Sequence, residues 1–314
     1  MKKLRTGILT QIFFLNVAFG ASNNSDVGTK VYPFLKNGIG ARPLAMGGAF
    51  TGLADDESAL YYNPAGATQI RTRAFAASYV NYFGDVNSGY LAFLYPLGQT
   101  QTVGVALNYF NYGEFVGLDA AGNPTENFTP SDFAFQLTYA RFFPSGLSLG
   151  LSGKVIYEKL QDYSSSALAA DAGVLYNFKN GRGRVGLVLQ NLGFQISSFW
   201  GAPKEDLATL VKLGGSIHPV GLPMNVALDV GFPTDNDFFV SGGVEYLELN
   251  PAFLRVGYTT FGKNYRAGLE SGKDNLAGFS GGFGVIVKKF QMDYAFLPYS
   301  TLGSAHRFSG AYRF

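Results

Sequence analysis

Few residues of this chain have the types and spacing that catalysis requires. Residues 181–186 (Gly-Arg-Gly-Arg-Val-Gly) fit a dinucleotide-binding loop, and residues 278–282 (Gly-Phe-Ser-Gly-Gly) fit a nucleophile elbow. The first stretch lies in a predicted turn with no following helix, and the second lies inside a predicted strand, so neither has the required context. His218 and His306 have no partner at metal-ligand spacing, and the chain has no cysteine. We therefore expect no enzyme activity, no cofactor and no metal site.

Arg42 is the charged residue whose surroundings most suggest a fixed role. Gly38 and Gly40 precede it and Pro43 follows it. A buried arginine that binds a carboxylate through two parallel hydrogen bonds is an economical clamp inside a water-lined lumen. The alternative is a solvated arginine at the mouth of the lumen. Its candidate partners are carboxylates on the inner faces of predicted strands: Asp171, Asp229, Glu245 and Asp293.

The segment that contains Arg42, residues 21–72, carries no strand pattern. Within it, residues 54–62 predict a short helix, with Asp55 or Asp56 as the N-cap and acidic residues in the first turn. We prefer this capping role for the two aspartates over the binding of a cation.

Asn63 and Pro64 are predicted to end that helix, because proline disfavours helical geometry in the residue before it. Gly66 completes a stretch that suits a tight turn. The glycines at 40, 47 and 48 permit close approach to other backbone. We predict that residues 21–72 form a compact hatch in or under the lumen of a barrel, with these motif residues: Gly40, Arg42, Gly47, Gly48, Asp55, Asp56, Asn63, Pro64 and Gly66.

The remaining chain, residues 73–314, shows the two-residue periodicity of β-strands. Along residues 133–140, for example, apolar or aromatic side chains alternate with small or polar ones. We place fourteen strands at residues 73–82, 88–96, 101–111, 132–143, 147–160, 168–178, 183–196, 208–217, 223–231, 237–247, 252–260, 276–287, 290–298 and 305–314.

The connections between these strands differ on the two sides. Those after odd strands include the long segments 112–131, 197–207 and 261–275, whereas those after even strands are tight. A soluble β-sandwich also alternates, but this asymmetry is typical of outer-membrane barrels. The sequence therefore predicts an all-β fold, a transmembrane antiparallel β-barrel of about fourteen strands, with both chain ends on the short-turn, periplasmic side.

The first twenty residues predict export. Lys2, Lys3 and Arg5 form a basic start, an apolar stretch follows, and small residues at 18–20 suit a cleavage site, so we assign residues 1–20 to a signal peptide. Without its three basic residues, the chain has a net charge of 21 − 22 = −1. This removes the compositional support for nucleic-acid binding. We expect the outer membrane of a diderm bacterium as the location.

Aromatic residues suggest three further roles. The last strand ends on Tyr312 and Phe314, which is similar to a barrel-assembly signal, although an ordinary last strand is the alternative. Exposed loop aromatics are candidate contacts to a partner, with packing inside the loop as the equal alternative: Phe115, Phe128, Phe199 and Trp200. Tyrosines near strand ends suit the interfacial girdles of a barrel: Tyr79, Tyr82, Tyr95, Tyr109, Tyr112, Tyr157 and Tyr246.

The motifs of residues 34–42, 46–50 and 53–66 closely resemble the N-terminal signature of the PorV/PorQ family of outer-membrane proteins. Residues 171–176, 186–193 and 293–314 also resemble that family, so the similarity covers nearly the whole mature chain. The resemblance implies a FadL-like fourteen-stranded barrel with an N-terminal hatch. It also implies a role in type IX secretion, through binding of secreted cargo or of secretion components.

Two functions are compatible with this resemblance. The first is protein secretion or surface attachment, in which the long loops bind cargo or partner proteins. The alternative is passive transport of long-chain fatty acids or other hydrophobic compounds, as in FadL. Transport predicts an apolar pocket next to the hatch, whereas shuttling predicts an open extracellular mouth that contacts another chain. The expected partners are outer-membrane lipid, the barrel-assembly machinery and secreted proteins, and not nucleic acid.

Overall fold

The fold is a closed β-barrel in a computed structural model, which describes residues 29–265, 276–300 and 303–314. The predicted signal peptide lies outside the described residues. Fourteen antiparallel strands form the barrel: β1 (Ala74–Asn81), β2 (Asn87–Leu97), β3 (Gln101–Asn111), β4 (Ser131–Phe142), β5 (Leu147–Leu160), β6 (Tyr163–Asn177), β7 (Gly183–Ser197), β8 (Leu210–Ile217), β9 (Met224–Pro233), β10 (Phe239–Leu249), β11 (Ala252–Thr259), β12 (Phe279–Val287), β13 (Phe290–Pro298) and β14 (Ser304–Arg313).

The fold class and the number of strands predicted from periodicity are confirmed. Each strand pairs with its sequence neighbours, and β1 pairs with β14 from Ala74↔Arg313 to Asn81↔His306, which closes the barrel. The largest difference is at β6, which begins at Tyr163 and not at the predicted 168. Residues 163–166 are mostly serine, so they lack the apolar alternation that marks a strand, yet they pair with the end of β5.

Side-chain alternation separates an apolar outer face from a mixed inner face. On β4, Phe135 and Leu137 are 51% and 57% exposed, whereas Gln136 and Thr138 are buried. Similar outward aliphatic and aromatic side chains occur all round the barrel. An apolar band of this kind is the surface that a lipid bilayer covers. No helix within the described residues is long and apolar enough to cross a membrane.

The two ends of the barrel differ as predicted. One end, called the long-loop end, carries the segments 112–130 and 198–209 and the described residues 260–265 and 276–278, and includes the 3-10 helices Phe199–Gly201 and Thr260–Tyr265. The other, called the short-turn end, has connections of a few residues, such as 98–100 and 288–289. By the rule for outer-membrane barrels, the short-turn end faces the periplasm.

The ladder between β7 and β8 is incomplete. These strands pair only up to Gln190↔Leu210, so the last part of β7 has no ladder partner on that side. A bulge at this point shifts the β6–β7 register between Ala170 and Ala172. Asn191 adopts the left-handed region with φ 58°, and its amide donates a hydrogen bond to Asp171 at 2.8 Å.

The N-terminal segment contains short helices and fills much of the lumen. They are a 3-10 helix at Pro33–Lys36, α1 at Ala41–Ala45, α2 at Ala59–Tyr62 and a second 3-10 helix at Pro64–Gln69. We call residues 29–72 the hatch. Its apolar side chains form the main core with inward residues of the wall, including Phe50, Leu60 and Leu94, all fully buried. The core of this protein is therefore inside the barrel.

Candidate functional site

The hatch runs the whole length of the lumen, from the long-loop end to the short-turn end. Its first part lies among the long loops: Val31 forms a β-bridge with Leu207, and Lys36 forms an ion pair with Asp235. Its end lies at the short turns, where Phe314 donates its amide hydrogen to the carbonyl of Arg73 at 2.9 Å. The N-terminal end of the chain, which we predicted on the short-turn side, lies outside the described residues. The first residues that are described lie at the long-loop end, and periodicity gives no information about such a path.

Glycines in the wall allow the hatch backbone to lie directly against the strands. A Cβ atom added to Gly257 would lie 2.0 Å from the backbone nitrogen of Gly47, and one added to Gly186 would lie 2.3 Å from the carbonyl oxygen of Thr51. Gly47 itself has φ +68° and faces the backbone of Tyr258. Other inward glycines that meet hatch atoms at this closeness are Gly104, Gly150, Gly173, Gly243 and Gly282. We call these wall positions the glycine belt. At these wall positions there is no room for a side chain, because hatch atoms occupy the space.

Arg42 is the centre of an ion-pair network at the base of the hatch. Its Nε and Nη2 atoms each donate to a different oxygen of Glu245 at 2.8 Å. Its Nη1 donates to Asp55 at 2.6 Å and to Asp56 at 3.0 Å. Burial alone would lower the pKa of Arg42, but the carboxylates of Asp55 and Glu245 outweigh burial and raise it well above its usual value. Of the four candidate lumen carboxylates, Arg42 contacts Glu245.

The other three candidates are buried on the lumen face and have different partners. Asp293 binds Arg255 at 2.6 Å, and Arg255 also binds Glu245, so the network continues along the wall. Asp171 binds Lys154 at 2.7 Å next to the β7 bulge. Asp229 accepts hydrogen bonds from the amides of Phe50 and Thr51, at 3.0 and 2.8 Å. Asp229 therefore also binds the hatch, but through the backbone amides of the hatch and not through Arg42.

Asp55 and Asp56 do not cap the helix. The helix α2 begins at Ala59, and the residue before it, Ser58, makes no capping hydrogen bond. Asp56 instead accepts from the backbone amide of Ser58 at 2.9 Å, in a turn that precedes the helix. Burial would raise the pKa of Asp55, but Arg42 and Arg184 outweigh burial and lower it. Prediction of the caps was wrong because the motif also suits a turn, and the competing arginine is far away in sequence.

Asn63 and Pro64 form a junction between the hatch and the wall. The Asn63 side chain accepts a hydrogen bond from the amide of Ala65 and so caps the second 3-10 helix. Its amide group donates to the carbonyls of Thr51 and Val174, at 2.9 and 3.0 Å. Gly66 lies against Ala54, where a Cβ atom would be 2.3 Å from the carbonyl oxygen. Gly40 and Gly48 both have positive φ, as expected for glycines that turn the backbone.

The hatch also binds the last strand. Glu57 accepts two hydrogen bonds from Arg313, at 2.6 and 3.1 Å, and the amide of Ala41 donates to the Ser309 hydroxyl at 2.6 Å. Higher in the lumen, Arg307 donates to the carbonyl of Gly38 at 2.6 Å. Three points along β14 are thereby fixed to the hatch.

A cavity of about 330 Å³ lies on top of the hatch, towards the long-loop end. Hatch residues, among them Leu44 and Tyr62, form its floor. Much of its wall is apolar and includes Phe239, Phe261, Phe279, Leu297 and Pro298. Its size is at the lower end of the range for small-molecule sites, about 300–1,000 Å³, and its composition is also typical of them.

Two buried cations border this cavity, and the sequence did not single them out. Arg307 is 2% exposed, and apart from Gly38 its hydrogen-bond partners are the hydroxyls of Tyr82 and Tyr299. Lys212 lies 4.9 Å from the ring centroid of Tyr62. Neither has a carboxylate within ion-pair distance among the described residues. Both lie at inward positions of their strands, and this alternation is the feature of the sequence that could have identified them.

The surface aromatics separate into several groups. Phe115 and Phe128 stack on each other with ring centroids 5.9 Å apart, as expected for packing inside the loop. Trp200 is 64% exposed, and its ring packs against those of Phe199 and Tyr163. Tyr312 and Phe314 stack at the closing seam.

Two of the tyrosines assigned to the girdles do not face outwards. Tyr82 and Tyr112 pack against an inner apolar cluster at the long-loop end. Both follow the last residue of their strand, β1 and β3 respectively, where the chain leaves the alternating register. The girdle assignment is therefore wrong for this pair.

No group of three or more possible metal ligands occurs in the part of the chain that the structure describes. The geometry described above instead defines a class: a fourteen-stranded barrel of the outer-membrane type, plugged by an N-terminal hatch, with an apolar cavity above the plug.

Comparison with known proteins supports this class at the level of the fold. No family model and no curated protein matches the sequence. Among solved structures, the chain is similar to the toluene transporter TodX of Pseudomonas putida, with 13% identity, a TM-score of 0.60, and coverage of 87% of this chain and 96% of that chain. It is also similar to the monoaromatic hydrocarbon channel CymD, with 13% identity, coverage of 88% and 98%, and a TM-score of 0.57.

A FadL homologue of Pseudomonas aeruginosa has the same fold, with 10% identity, coverage of 85% and 96%, and a TM-score of 0.55. The chain therefore has the fold of FadL-type outer-membrane barrels.

Proposed function

We propose that this protein resides in the outer membrane, after export by its N-terminal signal, and passively admits small, mainly apolar compounds. The observation that carries this proposal is the apolar cavity of about 330 Å³ that rests on the hatch. An apolar pocket beside the hatch is what transport predicts. TodX and CymD, which share the fold, are described as a toluene transporter and a monoaromatic hydrocarbon channel.

The hatch and the wall suggest how a solute would pass. Below the cavity, the hatch packs against the glycine belt and is held by the Arg42 network, so a solute that continued along the barrel axis would have to displace it. Beside the cavity, Gln190 and Leu210 line it at the point where the β7–β8 ladder stops. Above that point the gap is covered by the segment 206–208, with Leu207 and Ala208 buried. A side exit here would have to separate the isolated bridge between Phe194 and Asp206 and the contacts of Leu207. It would also break two hydrogen bonds to β7, one from the amide of Glu205 and one from the hydroxyl of Thr209.

The test uses a pair of substitutions that change the cavity in opposite directions. Leu297 lines the cavity from β13, near the long-loop end. Leu297→Trp should fill the cavity, and Leu297→Ala should enlarge it. We expect uptake of radiolabelled toluene by whole cells to fall several-fold with Leu297→Trp and to be maintained with Leu297→Ala. Phe296→Trp, which changes an outward neighbour, is the control and should behave like the wild type.

Equal uptake in cells with Leu297→Trp, with wild type and without the gene would overturn the transport proposal. Labelled long-chain fatty acid, measured in the same strains, distinguishes the two kinds of apolar solute.

A second candidate is the secretion role that the PorV/PorQ resemblance implies. It is supported by exposed apolar side chains on the long loops: Val116, Leu118 and Trp200 are each at least 60% exposed. Such residues can anchor a protein interface. Affinity purification from native membranes should then recover a translocon or cargo with a common C-terminal domain, and Trp200→Ser should reduce that recovery. Recovery of the barrel alone, with intact secretion in a deletion strain, would eliminate this role.

A further inference from the structure

The outer face of the barrel has an open depression of about 710 Å³ near the short-turn end, across β7, β8 and β9. Outward side chains of three strands line it, among them Val185, Leu213 and Leu228. At its centre is Gly215, which lies between Val185 on one neighbouring strand and Leu228 on the other. The missing side chain at this outward position, among large apolar neighbours, forms the depression.

The length of the depression matches one leaflet of a membrane. Its β8 lining extends from Leu213 to Ile217, which spans about 13 Å along the strand at about 3.3 Å per residue, or about 10 Å along the membrane normal for a strand tilted by about 40°. The apolar band of an outer-membrane barrel is about 25 Å tall, so one leaflet accounts for about half of that height. Because the depression ends at the turn 178–182 on the short-turn side, this is the periplasmic leaflet.

The end of the depression at this turn is basic. Arg182 and Asn180 line it there, and both are exposed. No carboxylate lines the depression, and Arg182 has no ion-pair partner among the described residues. An apolar groove one leaflet long, with a guanidinium group at the level of the lipid headgroups, is complementary to a phospholipid: the groove suits an acyl chain, and arginine suits the phosphate.

We propose that this groove is a specific phospholipid site, in which one acyl chain lies over Gly215 and the lipid phosphate binds Arg182. The site depends on residence of the barrel in a bilayer, but not on what the lumen cavity binds. Failure of the transport proposal would therefore leave it unaffected.

The test is native mass spectrometry of the purified full-length protein with added phosphatidylglycerol. Gly215→Leu fills the groove, and the Cβ atom has room because its nearest neighbour, the carbonyl oxygen of Arg184, is 3.6 Å away. Gly281→Leu is a matched control on β12, where the corresponding distance to the carbonyl oxygen of Arg255 is 3.7 Å. Heat-modifiable migration on gels verifies that each variant is folded.

We expect one retained lipid per wild-type barrel and per Gly281→Leu barrel, and loss of at least four-fifths of that adduct with Gly215→Leu. Arg182→Gln should weaken retention about fivefold, as expected for one basic residue at an anionic membrane surface. Equal retention by folded Gly215→Leu and wild type would overturn the proposal. A dimer that Gly215→Leu abolishes, without a lipid adduct, would also overturn it, because the groove would then be an interface between two copies.

Discussion

The lower and the upper parts of the hatch are held in different ways. The lower part, residues 39–72, lies against the glycine belt and is fixed by Arg42, Asp55 and Glu57 to several strands. The upper part, residues 29–38, has apolar contacts on one side and borders the cavity on the other. The hydroxyls of Tyr32 and Ser165 form a hydrogen bond of 2.6 Å there. The lower part also forms the floor of the cavity, through Leu44 and Tyr62. The two parts therefore differ in how firmly they are held, and both would meet a solute.

The largest effect is expected from removal of the central cation. Arg42→Met leaves the buried Asp56 without its arginine and the half-buried Asp55 with Arg184 as its remaining cation. Glu245 keeps its ion pair with Arg255. Loss of one member of a buried ion pair costs about 3–5 kcal/mol. We expect a markedly lower melting temperature and, in planar bilayers, a higher conductance as the lower hatch loosens. Arg42→Lys should be intermediate, because an ammonium group cannot form the paired hydrogen bonds to Glu245.

The control for this prediction is Lys204→Met, which removes an exposed cation from the long-loop end. It should leave both melting temperature and conductance unchanged. If Arg42→Met matched the wild type in both, the network would not be what holds the lower hatch.

The next effect is expected at the glycine belt. Gly257→Ala introduces a Cβ atom 2.0 Å from the backbone nitrogen of Gly47. Backbone on both sides limits relaxation, so we expect a loss of about 1–3 kcal/mol, as for an overpacked core. Gly242→Ala on the adjacent strand is the matched control, because its Cβ atom would lie 3.7 Å from the nearest side-chain atom of Leu228. Comparable unfolding midpoints in urea for the two variants would refute direct backbone packing.

A smaller effect is expected from acid. The pKa of Asp55 is below its usual value of 3.8 in the folded protein, despite its burial, because of Arg42 and Arg184. Its contribution to stability is therefore complete above the unfolded pKa of about 4 and is lost as the pH falls through the lower folded pKa. Between pH 6 and pH 3, the melting temperature of Asp55→Asn should fall less than that of the wild type. Parallel curves would show that Asp55 is not stabilised by these arginines.

The smallest effect is expected in the upper hatch. Lys30 contacts Asp206 at 3.3 Å, and the Asp206 side chain is 85% exposed. Exposed pairs of this kind contribute about 0.2–1 kcal/mol. Lys30→Gln should therefore change the unfolding free energy by less than about 1 kcal/mol and leave conductance unchanged. A destabilisation as large as that of Arg42→Met would remove the distinction between the two parts.

The strands of the wall could be predicted from the sequence better than the contacts of the hatch. Outward and inward residues alternate along each strand as a local property, so the strands could be placed one at a time, and Glu245 could be recognised as an inward carboxylate. The positions of Asp55 and Asp56 depend on Arg42 and Arg184, which are distant in sequence, and a local motif could not distinguish a cap from a turn. The cavity is formed by residues from the hatch and from at least five strands, so no short stretch indicates it.

The direction of the hatch was hidden for a related reason. Its upper part is held by single contacts, such as the bridge of Val31 to Leu207 and the ion pair of Lys36 with Asp235. These contacts have no periodicity and no fixed spacing. Arg307 and Lys212 could be placed on the inward register from the sequence. Their lack of a carboxylate partner within the described residues depends on the path of the hatch and could not be predicted.

The contacts of the hatch with β14 have a mechanical consequence. If the β1–β14 ladder alone closed the barrel, the two strands could separate from either end by the loss of one hydrogen bond at a time. In this protein the hatch, which precedes β1, also forms hydrogen bonds to β14 on the inside of the barrel, at Ser309, Arg307 and Arg313. A force that separates β1 from β14 must therefore also break the contacts of the hatch with β14. The hatch acts as a covalently attached cross-link on the inside of the closing seam.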